Sequence, residues 1–286
     1  MTLRIIFWDV QHGSATYIKT PNGKHIVQDL GTGTCKNKDE KFSPLVHLKN
    51  KWDVKRLDEV IITHLHKDHI DDIMNFSKLF PRVFRGPSGP SKAEIMEGAR
   101  EKDKPLFEEY FKIDERYNTS ILSDEDPEND DNNGGVSINP FFPQTCSISE
   151  INDCSIVTIL SYADSKVVIP GDNESASWKA LLERNDFKRA ISDADILLAP
   201  HHGRISAFYP DLFNYFEPKL VIISDGPETK TSAADKYSSK SSGWRVHRRN
   251  GSSETRRCVT TRKDGVIEVK LGYKLNKQPF IKVTID

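Results

Sequence analysis

His64-Leu65-His66-Lys67-Asp68-His69 decides how this chain is read. Three imidazoles and a carboxylate fall within six positions, directly after the apolar run Val60-Ile61-Ile62. Nitrogen and oxygen donors this dense, set at the end of a strand, suit a divalent metal such as Zn²⁺ or Mn²⁺. His64 and His66 are two apart on an extended segment, so they point the same way and can share one ion. Asp68 and His69, in the loop just beyond, can reach a second ion about 3.5–4 Å from the first.

The rest of the chain supplies further polar residues at the ends of short apolar strands, where α/β folds place their sites. Strand patterns cover residues 2–8, 14–20 and 24–29, with the turn Pro21-Asn22-Gly23 between the last two. Residues 57–63 form the strand that ends at the histidines. Ile70, Ile73, Met74 and Phe76 or Leu79 then follow at helical spacing. In the second half, strands at 156–160, 166–169, 196–198 and 220–223 end near Asp172, at His201-His202 and at Ser224-Asp225, and strands at 266–271 and 280–285 close the chain. Asp172 alone reads as a helix N-cap, because Asn173 and Glu174 open a helix; beside the histidine cluster it reads as a ligand able to bridge two ions. At least one of His201 and His202 belongs to the same site. Asp29 ends a strand and is a candidate accessory residue. His12 reads first as a loop histidine, with a ligand or substrate contact as the alternative.

Residues 81–135 interrupt this pattern as an irregular or helical insertion in what is otherwise a single domain spanning 1–286. A loop at 85–90 precedes a polar helix near 91–115, and six acids without a base over Asp124–Asp131 read as a solvated loop. The length of 286 residues and a hydrophobic content of 36% suffice for a large core. A formal charge of −1 gives no global bias toward nucleic acid or membrane. No apolar run reaches about 18 residues, so no transmembrane helix is expected. The N-terminus lacks signal-peptide sections, and Cys35, Cys146, Cys154 and Cys258 are scattered, as reduced thiols are. The expected compartment is the cytoplasm, with no membrane partner.

His64-x-His66-x-Asp68-His69 resembles the hallmark of the metallo-β-lactamase superfamily. Within it, the chain is similar to the nuclease-like domain of the DNA-uptake competence protein ComEC. That likeness rests on Phe7-Trp8-Asp9-Val10-Gln11-His12-Gly13-Ser14, Thr20-Pro21-Asn22-Gly23-Lys24, Asp29-Leu30-Gly31, Asn152-Asp153-Cys154-Ser155, Pro170-Gly171-Asp172, Pro200-His201-His202-Gly203 and Ser224-Asp225-Gly226. The resemblance implies an α/β (α+β) fold, a four-layer αββα sandwich, with two metals at one edge of the β-layers. It implies His64 and His66 as ligands of the first metal, Asp68 and His69 as ligands of the second, and Asp172 as the bridge. One of the His201-His202 pair follows as a ligand or a phosphate contact: His201 is placed with the ligands, and His202, with Asp68 and Asp172, among the catalytic residues. Many relatives carry a third histidine on the first metal; here that region offers Asn152. Two divalent ions per chain are expected, Zn²⁺ or Mn²⁺ with Mg²⁺ also suitable, the oxygen-rich set tilting toward Mn²⁺ or Mg²⁺.

Such a centre makes the chain a metal-dependent hydrolase in which a hydroxide bridging two cations attacks phosphorus or a carbonyl carbon. Local charge points to the substrate. Between Lys236 and Lys263 nine bases stand against one acid, Glu254, with Tyr237 and Trp244 among them. A segment this basic, with aromatics to stack on, fits a phosphate backbone. Lys236, Tyr237, Arg245, Arg248 and Arg249 are the substrate-binding candidates. The first reading is therefore a nuclease acting on DNA in preference to RNA, with a protein partner or a homo-oligomer left open. The alternatives are a small-molecule hydrolase of a phosphodiester, thioester or lactone, and a non-catalytic partner protein with a depleted metal site.

Overall fold

A computed structural model describes residues 1–34, 41–143 and 147–286. Two sheets carry the architecture. The first holds nine strands in the order Ser253–Arg256, Trp244–Arg248, Pro279–Ile285, Ile267–Tyr273, Thr2–Phe7, Thr16–Lys19, His25–Gln28, Glu59–Ile61 and Val83–Arg85. The second holds six, in the order Cys258–Thr260, Leu220–Ile223, Ile196–Leu198, Ser165–Ile169, Val157–Tyr162 and Ser137–Phe141.

Alternation along the strands builds the layers, because successive side chains leave opposite faces of a sheet. Leu3, Ile5 and Phe7 face the second sheet and meet Ile138, Leu160, Val167, Ile196 and Ile222 in the central core. Ile6 and Trp8 point the other way and pack with Leu45, Leu48, Phe107 and Tyr110 of the outer helices. On the far side Val168, Leu197, Val221 and Ile223 are covered by Trp178, Leu181, Phe187 and Tyr237. Three apolar seams separate four layers, the αββα sandwich that the family resemblance implies.

Strand direction positions the site. His25–Gln28, Glu59–Ile61 and Val83–Arg85 run parallel in the first sheet. Ser165–Ile169, Ile196–Leu198 and Leu220–Ile223 run parallel in the second. Their C-terminal ends deliver Asp29, His64, Asp172, His202 and Ser224 to one edge of the sandwich.

Residues 81–135, expected as an irregular or helical insertion, are helical in part and also supply a strand. Val83–Arg85 is the edge strand of the first sheet. The helix expected over 91–115 is two helices, Lys92–Gly98 and Lys104–Asp114. Ala99 is extended between them, and Pro105 in the first turn of the second helix lacks the N–H needed to continue the first. Ile95, Phe107, Tyr110 and Ile113 from these helices are buried in the outer seam. The acid run is tethered rather than fully solvated: Glu125 pairs with Arg82, and Glu128 accepts from Arg85 at 2.9 Å, which also holds buried Glu59 at 3.1 Å. Asp68 and His69, expected in a loop, sit in the short helix Lys67–Ile70. Met74, expected on the apolar face, is 58% exposed, because the following turn is 3₁₀ rather than α-helical. Cys154 and Cys258 are thiols, and Cys35 and Cys146 lie outside the described residues.

Candidate metal centre

Two clusters of metal-ligand type lie side by side. His64, His69 and Asp172 form one, entirely buried; His12, Asp68 and His202 form the other, with His12 at the surface. Asp172 joins them. One of its carboxylate oxygens, Oδ1, lies 3.3 Å from His69 Nε2, and Oδ2 lies 3.4 Å from His202 Nε2 and 3.8 Å from His64 Nε2. Asp68 Oδ2 is 3.2 Å from His202 Nε2 and 3.6 Å from His12 Nε2. The hexapeptide therefore meets Asp172 from the opposite sheet.

Supporting groups aim the imidazoles. Asp29, fully buried and in the left-handed region at φ 60°, accepts from the Thr63 N–H at 2.8 Å and the Thr63 hydroxyl at 2.9 Å. Its other oxygen binds His69 Nδ1 at 2.8 Å, so Nε2 is left to face Asp172. His202 donates from Nδ1 to the Ser224 carbonyl at 3.0 Å, which turns its Nε2 toward Asp68 and Asp172. Both Nε2 atoms are buried and make no hydrogen bond, although carboxylates stand within ion-pair distance. Buried polar groups are normally hydrogen-bonded, and an imidazole fixed through one nitrogen with the other unclaimed suits a metal ion. The donor set thus fits two divalent cations, with His64, His69, Asp172, Asp68 and His202 as the residues that would hold them.

His66 Nδ1 lies 3.0 Å from His64 Nε2 but stands outside both clusters. Of the His201-His202 pair, His202, expected among the catalytic residues, stands with the ligand-type groups, and His201, expected as a ligand, stands at the rim. His202 enters the centre. His201 binds Glu174 through Nδ1 at 2.6 Å, leaving Nε2 4.0 Å from Asp172. Both histidines take positive φ, 47° and 54°, so the chain turns sharply between them and one side chain is carried inward. Asn152 occupies the rim beside His201 and Glu174, and its Oδ1 is buried without a hydrogen-bond partner. Sequence reasoning missed Thr63, Glu174 and the Ser224 carbonyl as positioning groups. Thr63 could have been suspected from its place just before His64; the other two depend on long-range packing.

The electrostatics follow from crowding. Burial and neighbouring His69 hold His64 well below the ordinary imidazole range, and burial lowers His66, so both are neutral. Burial opposes charge on His202 too, but Asp172 and Asp68 overcome it and raise its pKa to about 10. His69 is likewise raised well above normal by Asp172 and Asp29 against the cost of burial. Burial disfavours the charged forms of Asp68 and Asp172 as well, yet His202 and His69 draw both below the usual carboxylate range. In the metal-free protein two imidazolium protons balance two carboxylates, and a metal must displace those protons to bind. Because Asp172 and Asp68 raise His202 to about 10 against the cost of burial, metal affinity is expected to keep rising with pH into that range. Ordinary imidazoles would let it level off near about pH 7. Calorimetry in buffers of different ionisation enthalpy should show proton release at pH 7.5; a proton-neutral titration contradicts this assignment of charge. Asp29→Asn should weaken metal binding by about 10–100-fold while the metal-free fold melts almost unchanged. Unaltered affinity would remove Asp29 from the orienting role.

The basic stretch is placed differently from expectation. Tyr237 is buried, with its hydroxyl donating to the Ala207 carbonyl at 3.4 Å, so it offers no stacking face. Lys236 lies over the Phe208 ring. Arg248 pairs with Glu254 and Asp264, Arg249 with Asp286, Arg256 with Glu254 and Asp264, and Arg262 with Asp225. Three of these acids come from outside the stretch, so the local count overstates its free positive charge. Arg245, Arg257 and Lys263 are exposed and form no ion pair among the described residues.

The chain is similar to several known proteins. ComE operon protein 3 of Bacillus subtilis is 22% identical over 240 residues, which cover 78% of this chain and 28% of the relative's length. Two solved structures are similar in backbone. A diphosphatase of the PhnP family has 14% identity, covering 92% of this chain and 85% of its own, with a TM-score of 0.42. CmlA, a diiron β-hydroxylase from Streptomyces venezuelae, has 12% identity, covering 77% of this chain and 44% of its own, with a TM-score of 0.43. Residues 8–203, which include the hexapeptide, Asp172 and both adjacent histidines, match the family model, and the chain belongs to the metallo-beta-lactamase superfamily.

Proposed function

We propose that this protein is a nuclease that hydrolyses the phosphodiester bonds of DNA with the help of two divalent cations. The coarser part, a metal-dependent hydrolase, follows from the family and from the two ligand clusters. The finer part is supported chiefly by one observation: the centre opens into a cleft that carries an arginine forming no ion pair among the described residues. His12, His202, Arg204, Asp225, Thr231 and Ser232 line this cleft of about 290 Å³. A single cation beside a hydrolytic centre suits an anionic substrate. The strand Trp244–Arg248 runs in the same direction as Thr2–Phe7 and ends on the same rim, three strands away, which is about 14 Å. Arg248 closes that strand on the rim, and Lys263 lies just past Cys258–Thr260, which ends beside Leu220–Ile223 on the same edge, whereas Arg245 and Arg257 lie toward the opposite ends of their strands.

Bound cations would lower the pKa of a water toward about 7 and draw charge from the phosphate oxygens. The chain's own groups do the rest. Asp172 sets the spacing between the two clusters, and Asp29 and the Ser224 carbonyl prevent His69 and His202 from rotating. Burial and the charge of His202 lower His12, so at neutral pH it is uncharged and can give or take one hydrogen bond at the mouth. Hydrolysis breaks one P–O bond and forms another to the water oxygen; the proton that the water gives up goes to the departing oxygen, and neutral His12 at the exposed edge can accept it and pass it on. Lys67, adjacent to the ligands, is held by Asp71 at 2.7 Å and does not serve the phosphate.

The test is incubation of the purified protein with labelled single- and double-stranded DNA and RNA across Mg²⁺, Mn²⁺ and Zn²⁺. Cleavage of DNA that requires added metal is the expected result. A metal-loaded protein that leaves every nucleic acid intact yet hydrolyses a soluble ester would overturn it.

A further inference from the structure

The centre has two unlike flanks. Beyond His66 a cleft of about 210 Å³ is lined by Glu150, Asn152, Asp153 and Glu174. Its carboxylates are committed to local structure: Asp153 accepts from the Glu174 N–H at 2.7 Å and the Ser177 hydroxyl at 2.8 Å, and Glu174 holds His201. No lysine or arginine lines it. A polyanion meets three carboxylates and no base there, whereas the other flank sets Arg204 beside Asp225, which Arg262 neutralises, and Glu228.

On the other flank, beside His12 and His202, stands Arg204. It is half-buried and forms no ion pair among the described residues. Asp225 shares the cleft, but its Oδ2 is held by Arg262 at 3.1 Å, and its Oδ1 is buried with no hydrogen-bond partner. Glu228, also on this cleft, accepts from the Lys230 N–H at 3.0 Å. The backbone around Arg204 is fixed. It bridges Ser232, the next N–H donates from Ile205 to the Thr231 carbonyl at 2.8 Å, and the Gly203 carbonyl accepts from Ala233 at 2.8 Å. A guanidinium on a braced loop, with its charge unspent, is prepared for a bidentate anion.

We propose that Arg204 grips the phosphate next to the scissile one, so that the strand runs out of the centre over His12 and Arg204 and away from the acidic flank. This rests on the nuclease reading and adds to it a direction and a specificity residue. Asp225 Oδ1 gives the same cleft a buried acceptor for a donor on the adjoining nucleotide.

The full-length chain, metal-loaded, is assayed as wild type, Arg204→Gln and Arg204→Lys on two substrates. One is a short single-stranded DNA oligonucleotide; the other is bis(p-nitrophenyl) phosphate, which has no neighbouring phosphate. Arg204→Gln is expected to raise KM for the oligonucleotide about tenfold or more, the scale of a charge-assisted hydrogen bond, with kcat within about twofold. The small diester should lose far less than the oligonucleotide, Arg204→Lys should recover part of the loss, and the salt slope for the oligonucleotide should fall by about 0.7. An unchanged KM and slope in Arg204→Gln overturns the proposal, as does an equal loss on both substrates, which would put Arg204 in the centre itself. A wild type that hydrolyses the small diester but no oligonucleotide overturns the nuclease reading first, and this assignment with it.

Discussion

Asp172→Asn should lower the rate of hydrolysis by at least about 10³-fold, with Asp172→Ala equally inactive. Asp172 is the group on which both clusters depend: His64, His69 and His202 all face it within 3.8 Å, from two different sheets. Removing its charge also takes away the largest of the influences that raise His69 and His202, so both histidines become neutral more readily. Because they can shed their protons, the fold should survive, at a cost below the roughly 3–5 kcal/mol of stranding a buried charge. Elemental analysis should show fewer than the two divalent ions expected per wild-type chain. Wild-type turnover with full metal content in either variant would end the bridging assignment.

Gly31→Ala should damage the centre severely through a single added methyl. A Cβ at this position would lie 2.6 Å from the Asp68 carbonyl oxygen, 2.6 Å from the Ser14 carbonyl oxygen and 2.8 Å from the Ser14 nitrogen. All three are backbone atoms, so no side chain can swing aside. The same segment is knitted by Leu30 N–H to the His69 carbonyl at 2.8 Å and Gly31 N–H to the Ser14 carbonyl at 2.8 Å. Relief of the clash must push away the turn that carries Asp68 and His69. The expected loss is about 3 kcal/mol or more in urea unfolding, at the upper end for overpacking, together with a fall in metal affinity beyond tenfold. Gly98→Ala is the control: nothing lies within 4 Å of its Cβ position, and its stability should hold or rise slightly. Similar melting of the two variants would show that the close approach at Gly31 is soft.

The convergence of His64, Asp68, His69 and Asp172 was legible because the chemistry sits in short contiguous motifs at strand ends. The layer order was legible for a related reason, since alternating apolar residues such as Leu3, Ile5 and Phe7 declare a sheet with two covered faces. What escaped depends on partners distant in the chain. His202 enters the centre rather than His201 because a carbonyl 22 residues away captures one ring and Glu174 captures the other. The basic run looked freer than it is because Asp225 and Asp286 reach it only in three dimensions and Asp264, one residue past its end, turns back onto Arg248 and Arg256. The two helices of residues 91–115 read as one polar helix because their buried residues, Ile95 and Phe107, fall on either side of a break that only Pro105 announces.

The ligand groups come in two instalments, His64, Asp68 and His69 from the first sheet and Asp172 and His202 from the second. A cation held by both would act as a rivet through the sandwich, closing a chain loop of about a hundred residues between His69 and Asp172. Prying the sheets apart would then mean surrendering the ions first. Resistance to heat and to proteolysis should thus track free metal concentration, and a chelator would loosen the whole body rather than merely silence its chemistry.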